Sequence, residues 1–318
     1  MFFVALEYEK QRAGFENPQE IKLRGNNYQI WVNAELRYAS LSVNALAYSQ
    51  CPNSRDLYLQ YVKKIDRPPT WERYMGRVVD KLYKDIYLVC RHYCQNTESR
   101  NFDLFKELCS EKEILIFDAL KHFISEYEAI TPAPDEAKIY QFNDNLKKII
   151  HFEALQISAA MEHRMAQLIG ANPDQTFSQL FPLNVDVQLH SQRLGFTSPA
   201  TPDFILSDRV VGDIKLGKWK NWFDFTMVAY ALAFEDFLGK PMNLGAILQL
   251  EMIDSRPYPL HSGAKITLLD DAIRERFITV RNWKLQIIVN KTDPGLPDKN
   301  QCDNSCDYYK NCWGQENE

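Results

Sequence analysis

The chain has 318 residues, 45% of them hydrophobic and 25% charged, which excludes a disordered or fibrous polymer and leaves room for one large domain or two intertwined ones. A formal net charge of -5 means that any nucleic-acid partner must be met by a local basic patch, because the overall field repels it. No apolar stretch is long enough to span a bilayer and the start, MFFVALEYEK, carries no basic n-region, so a soluble, cytoplasmic protein is expected.

Short apolar runs mixed with charges fill the first 45 residues, with a strand expected at YQIWVNAEL. Asn53 or Ser54 then caps a helix carrying Leu57, Tyr61 and Ile65 at helical spacing. A second helix follows Pro68, Pro69 and the capping Thr70, its stripe Tyr74, Val78, Leu82 and Ile86 repeating every four residues. Helix continues through DLFKELCSEKEILIFDALKHFISEY and, past the turn TPAPDEAK, to about Ile169. From NPDQTFSQLFPLN onward the period becomes alternating. VDVQLHSQRLGF reads as a strand, TPDFIL and RVVGDIKLG as two more, and NLGAILQLEMI as another; WFDFTMVAYALAFEDFLG and LDDAIRERFITVRNWKLQIIVN read as helices. The order is α/β: a mainly helical region over 1–180 that carries Cys51, then a mixed region over 181–318.

Seven cysteines without a signal peptide argue against a disulfide scaffold. Cys90, Cys94 and Cys109 lie in helical segments, where a thiol behaves as a small buried hydrophobe. Cys302, Cys306 and Cys312 stand instead in QCDNSCDYYKNCWG, a polar tail after the breaker DPGLPD with little apolar material to bury them.

The stretch TPDFILSDRVVGDIKLGK sets Asp203, Asp213 and Lys215 near one another. Alternation puts Asp213 and Lys215 on one face of their strand. With a loop of Ser207, Asp208 and Arg209, Asp203 stands opposite Asp213, about 4.5 to 5.5 Å away; a two-residue turn moves Asp203 to the other face. Two carboxylates so placed can clasp Mg2+ or Mn2+, which takes oxygen ligands, while Lys215 answers negative charge on a reacting phosphate. Charges on the solvated face of a strand are the plainer reading. Lys218, Trp219, Lys220 and Trp222 form a basic and aromatic cluster suited to a DNA strand, or a solvated turn with core tryptophans.

Proline and Asp203, then Asp213-x-Lys215 across a hairpin, then a helix with AYALAFE resemble the PD-(D/E)xK nuclease core of the RecB-like group. There a glutamine, three residues and a tyrosine open the following helix; Tyr230 matches the tyrosine, and Thr226 stands where the glutamine is expected. An upstream glycine, three residues and a histidine usually give a further metal ligand, and GRVVDKLY offers Gly76 with Asp80 in the histidine's place. Asp80 is thus either a ligand or a solvated helical aspartate. Cys51 with Cys302, Cys306 and Cys312 is similar to the one-plus-three arrangement of RecB-like nucleases that hold a [4Fe-4S] cluster, although the tail spacing is three then five residues rather than two then five. A four-cysteine zinc site is the alternative.

Together with LSVNALAYSQCPNSRDLYLQYV and the chain length, these motifs most resemble the CRISPR-associated exonucleases of the adaptation module, the Cas-four family and especially its longer Csa-one-like branch. The resemblance covers residues 40–95 and 185–312. It implies a helical N-terminal half packed on a RecB-like nuclease core with a C-terminal cysteine cluster. It also implies a Mg2+- or Mn2+-dependent DNA exonuclease that trims prespacer DNA beside the integrase proteins, on DNA that is single-stranded or has single-stranded ends. The metal would sit on Asp203, Asp213, Asp80 and the carbonyl of Ile214, with Lys215 and Tyr230 completing the catalytic set. A non-catalytic DNA-binding or assembly subunit, and a zinc-stabilised scaffold unrelated to nucleases, are the competing readings.

Overall fold

The computed structural model describes residues 4–5, 7–8, 11–12, 20–30, 36, 39–48, 51–98, 103–108, 130, 134–168, 170–252, 260–303 and 306–314. Its α-helices of five residues or more in this set are α1 (Val43–Ala47), α2 (Trp71–Asn96), α3 (Leu104–Leu108), α4 (Glu136–Gln167), α5 (Pro173–Leu180), α6 (Phe223–Leu238), α7 (Asp271–Asn290) and α8 (Tyr309–Trp313). Five strands, β1 (Leu183–Val185), β2 (Phe204–Leu206), β3 (Val210–Leu216), β4 (Leu244–Met252) and β5 (Leu260–Leu268), form one sheet in chain order. Only β3 and β4 are parallel, and α6 is the crossover that their parallel pairing requires. No helix among the described residues is long and apolar enough to cross a membrane.

Helix α2 begins where the sequence signals it: Thr70 accepts the Arg73 amide at 3.4 Å, which satisfies one of the orphan donors of the first turn. Its stripe of Val78, Leu82 and Ile86 is buried among α4, α5 and the face of the sheet formed by Phe204, Leu206, Val210, Ile214 and Leu248. Burying each such side chain contributes about 1.5 to 3 kcal/mol. Cys90 and Cys94 are buried in this layer as small apolar groups. The opposite face, with Ile205, Val211 and Ile247, packs on α6 and α7. A buried ion pair pins α6 to α7: the guanidinium of Arg274 donates to both carboxylate oxygens of Glu235, at 2.9 and 3.2 Å, and to the carbonyls of Leu23, Met242 and Leu269.

Several elements depart from expectation. The segment predicted as a strand at 28–36 begins as the 3-10 turn Gly25–Ile30, and 31–35 lie outside the described residues. The helix after Ser54 is a single turn, Arg55–Leu57, that widens into a π-turn over Tyr58–Val62, so Ile65 falls beyond it; Ser54 makes no side-chain cap. NPDQTFSQL is helical, because Asn172 accepts the Gln175 amide at 3.1 Å and Pro173 sits where its missing N–H costs nothing. Most of VDVQLHSQRLGF is irregular, reduced to two isolated bridges, Leu189 with Ala200 and Phe196 with Leu41, and a 3-10 turn at Gln192–Leu194. LHSGAKITL, read as no element, is the edge strand β5. Cys109 and most of the helix expected after Leu108 lie outside the described residues.

Candidate functional site

The hairpin β2–β3 fixes the centre of the site. Its loop is Ser207, Asp208 and Arg209, the first two with positive φ, a conformation that short polar side chains tolerate. Phe204 therefore pairs with Gly212 and Leu206 with Val210, and the Asp203 amide donates to the Gly212 carbonyl at 3.0 Å. This is the register in which Asp203 faces Asp213. Gly212 is needed because the Phe204 ring lies across it: a Cβ there would come within 2.0 Å of the ring. The ring packs in the core with Val78, Leu82 and Ile86 of α2.

Asp203 and Asp213 are both buried, and the Ile214 amide donates to Asp203 Oδ2 at 2.6 Å. Lys215 pairs with Asp213 and is a quarter exposed. Asp80 arrives from α2, its Oδ2 accepting from Lys84 at 3.0 Å. Lys84, one helical turn past Asp80, also lies 3.3 Å from Asp203 Oδ1 and 3.3 Å from Asp186 Oδ1. Asp203, Asp213, Lys215 and Asp80 thus meet at one place, together with Lys84 and Asp186, which the sequence reading did not include. The i, i+4 spacing of Asp80 and Lys84 is visible in the sequence but reads as an ordinary pair on a helix surface. Among the described residues no three histidine, cysteine, aspartate or glutamate side chains are already set to hold a single metal ion.

Burial divides the carboxylates by proton affinity. For Asp203 burial opposes ionisation, but hydrogen bonding to Asp213 and the charges of Lys84 and Lys215 outweigh it and hold the carboxyl below its usual range. Burial pushes Asp213 well above that range, with Lys215 opposing and Asp203 reinforcing. Asp80 is pushed up to about 7, by burial first and then by the charge of Asp203. Tyr230, buried on α6, has its hydroxyl driven well up by burial and by the fields of Asp213, Asp203 and Asp80. Crowded carboxylates that cannot all ionise beside two lysines form a centre whose charge a divalent cation would complete.

The basic and aromatic cluster lies just past β3. Lys218 is exposed, at the rim of a groove it shares with Trp71, Lys138, Leu216 and Glu251. Trp219 packs edge-on against Phe223 at 5.5 Å and carries the Lys265 ammonium 4.1 Å from its ring centre. Lys220 lies over Trp222 at 5.6 Å. The cluster therefore gains a further cation, Lys265, from β5.

Cys51, Cys302, Cys306 and Cys312 line one pocket, with Asp56 and Tyr308 among its walls. Arg55 Nη1 lies 3.6 Å from Cys312 Sγ. Burial raises the thiols of Cys51 and Cys312 and takes Cys306 up to about 11, so a group able to accept thiolates would displace their protons. Four sulfurs and no imidazole suit an iron-sulfur cluster or zinc as donors. The pocket sits against the buried Tyr58 and Tyr308, where the segment after Cys51 meets the tail.

The class defined by this arrangement is an α/β protein with a buried acidic centre at a sheet hairpin and a separate four-thiol pocket. The family model described as "CRISPR-associated exonuclease Csa1" matches residues 4–315, and the chain belongs to that family. A relative named CRISPR-associated exonuclease Csa1 from Thermoproteus tenax is 22% identical over 303 residues, covering 93% of each chain. Another with the same name, from Saccharolobus solfataricus, is 23% identical over 155 residues, covering 49% of this chain and 52% of its own.

Proposed function

We propose that the chain is a Mg2+- or Mn2+-dependent DNA exonuclease of the RecB-like, PD-(D/E)xK type, acting in CRISPR adaptation. Family membership and the relatives' names support the exonuclease class. The observation that carries the metal-dependent reading is the hairpin register, which sets Asp203 against Asp213 with Lys215 two residues on and Asp80 alongside. A divalent ion held by Asp203, Asp213, Asp80 and the Ile214 carbonyl would polarise the scissile phosphate and acidify the attacking water. Lys215 has the reach and exposure to meet charge developing on the phosphate. Tyr230 closes the buried side of the site, and Lys218, Trp219 and Lys220, joined by Lys265, supply the contact for a DNA backbone and bases.

In this reading residues 1–180 supply Asp80 and Cys51, and residues 181–318 supply the hairpin and the cysteine tail. Cys51, Cys302, Cys306 and Cys312 hold a [4Fe-4S] cluster that staples the two ends of the chain, with a structural role. The substrate is prespacer DNA that is single-stranded or has single-stranded ends, handed on to the integrase proteins. The test is incubation of the purified chain with end-labelled single-stranded DNA. The exonuclease reading expects progressive shortening that needs Mn2+ or Mg2+. Binding without shortening at any metal concentration would replace it with the non-catalytic DNA-binding subunit.

A further inference from the structure

Lys84 stands at the centre of the acidic site rather than at its edge. Its ammonium reaches three carboxylates, Asp80 at 3.0 Å and Asp203 and Asp186 at 3.3 Å each, and its side chain is one-tenth exposed. The reach comes from three separate parts of the chain: Asp80 is on the same helix one turn back, Asp186 follows β1 in the left-handed conformation, and Asp203 leads into β2. The ammonium meets the oxygen Oδ1 of Asp203 that the Ile214 amide leaves free, while the amide takes Oδ2. A lysine with three donors and a divalent cation with several oxygen ligands therefore ask for the same carboxylate oxygens.

We infer that Lys84 is a tethered counter-ion of this centre: it holds Asp80, Asp186 and Asp203 together when no divalent cation is bound, and withdraws from them when one is. The inference rests on the metal-dependent reading above and deepens it, since it makes Lys84 a positioning residue that sets the cation concentration at which the site fills. Lysine suits the role. Its compact charge sits on a flexible four-carbon stem, and of its three partners Asp186 lies nearest to solvent, its side chain 60% exposed. By contrast Lys215 forms its ion pair with Asp213 and is more open to solvent, so the two lysines divide the work, one facing the reacting phosphate and the other the vacant-state carboxylates.

The test measures Mn2+ binding to the full chain by the paramagnetic resonance of free Mn2+, with Asp203→Asn as the background for ions bound elsewhere. Lys84→Met should bind Mn2+ about tenfold more tightly than the unaltered chain, because it removes a cation from the metal's position. In the unaltered chain, reductive methylation followed by peptide mass spectrometry should label Lys84 faster when Mn2+ saturates the site. Binding that depends on Asp203 and is equal or weaker in Lys84→Met would overturn the inference and leave the metal reading standing. Should Lys84→Met not fold, methylation of Lys84 that does not change with Mn2+ would overturn it instead. Absence of Asp203-dependent Mn2+ binding in both chains would remove the metal reading and the inference together.

Discussion

The Ile214 amide donates to Asp203 Oδ2 at 2.6 Å, so the carboxylate that begins one strand of the hairpin is held by the backbone of the other. A carboxylate fixed by an amide keeps its remaining oxygen aimed in one direction, without the entropy cost of ordering it when a partner arrives. Asp203→Ala would lose this bond as well as the proposed metal ligand, whereas Asp203→Asn keeps the shape and removes charge. The asparagine variant is the informative one for function.

Lys215→Ala should lower DNA cleavage a hundredfold or more, on the order of 3 to 4 kcal/mol of barrier, while leaving the fold and Mn2+ binding nearly intact. The contrast lies in the kinetics: kcat should fall and KM for DNA should change little, as for an interaction made only in the transition state. Near-normal turnover in single-turnover assays would take Lys215 out of the mechanism.

Asp80→Asn should raise the Mn2+ concentration that gives half-maximal cleavage by about tenfold or more, since the amide keeps the volume and loses the charge. A metal titration that superimposes on that of the unaltered chain would return Asp80 to a purely structural pair with Lys84.

The same carboxylates set a pH dependence. Asp80, at about 7 in the fold against an ordinary 3.8, keeps a proton that the unfolded chain has already released over that window, and Asp213 is shifted in the same direction. Stability of the chelator-treated protein should therefore fall as pH rises from about 4 to about 7. Asp203, held below its usual range, contributes stability that disappears only in stronger acid. Thermal melts across pH should show the decline, and Asp80→Asn should flatten it. A melting temperature that rises steadily through this window in both proteins would count against the assignment of protons to Asp80 and Asp213.

Away from the site, Arg274 is fully buried and its guanidinium serves Glu235 and three carbonyls. Arg274→Met should destabilise the chain by about 3 to 5 kcal/mol, because it leaves buried acceptors and weakens the pairing of Glu235. Urea unfolding monitored by circular dichroism gives the value; a shift within error would mean that water replaces the guanidinium.

Much of this was legible from residue order alone. The hairpin register follows from counting Ser207, Asp208 and Arg209 as the loop, since side chains alternate and the pairs must then sum to 416. Helix α2 followed from Pro69, Thr70 and a four-residue stripe. Lys84 was not legible as a site residue, because an i, i+4 pair with Asp80 looks the same whether the helix face meets solvent or a sheet edge. Only the packing of α2 against β3 separates the two. Helix α5 was hidden because Asn172 and Pro173 serve equally as turn formers and as a cap with its first helical residue. The strand expected over 185–196 failed for want of a partner: among the described residues, 186–196 pair only through Leu189 and Phe196, so alternation there had no ladder to settle into.

The thiol pocket carries its own expectation. Protein purified without oxygen should be brown with about four irons per chain, and Cys306→Ala should lose colour and solubility together. A colourless protein with one zinc would keep the staple and refute the cluster.

Anomalous diffraction at the manganese edge, from crystals soaked in Mn2+, would locate the cation itself. A peak should appear bounded by the carboxylates of Asp80, Asp203 and Asp213, with the Lys84 ammonium displaced from Asp203, and should be lost in Asp203→Asn. Manganese bound only elsewhere, with Lys84 still joined to Asp80 and Asp203 at saturating Mn2+ in a chain that degrades DNA, would contradict it.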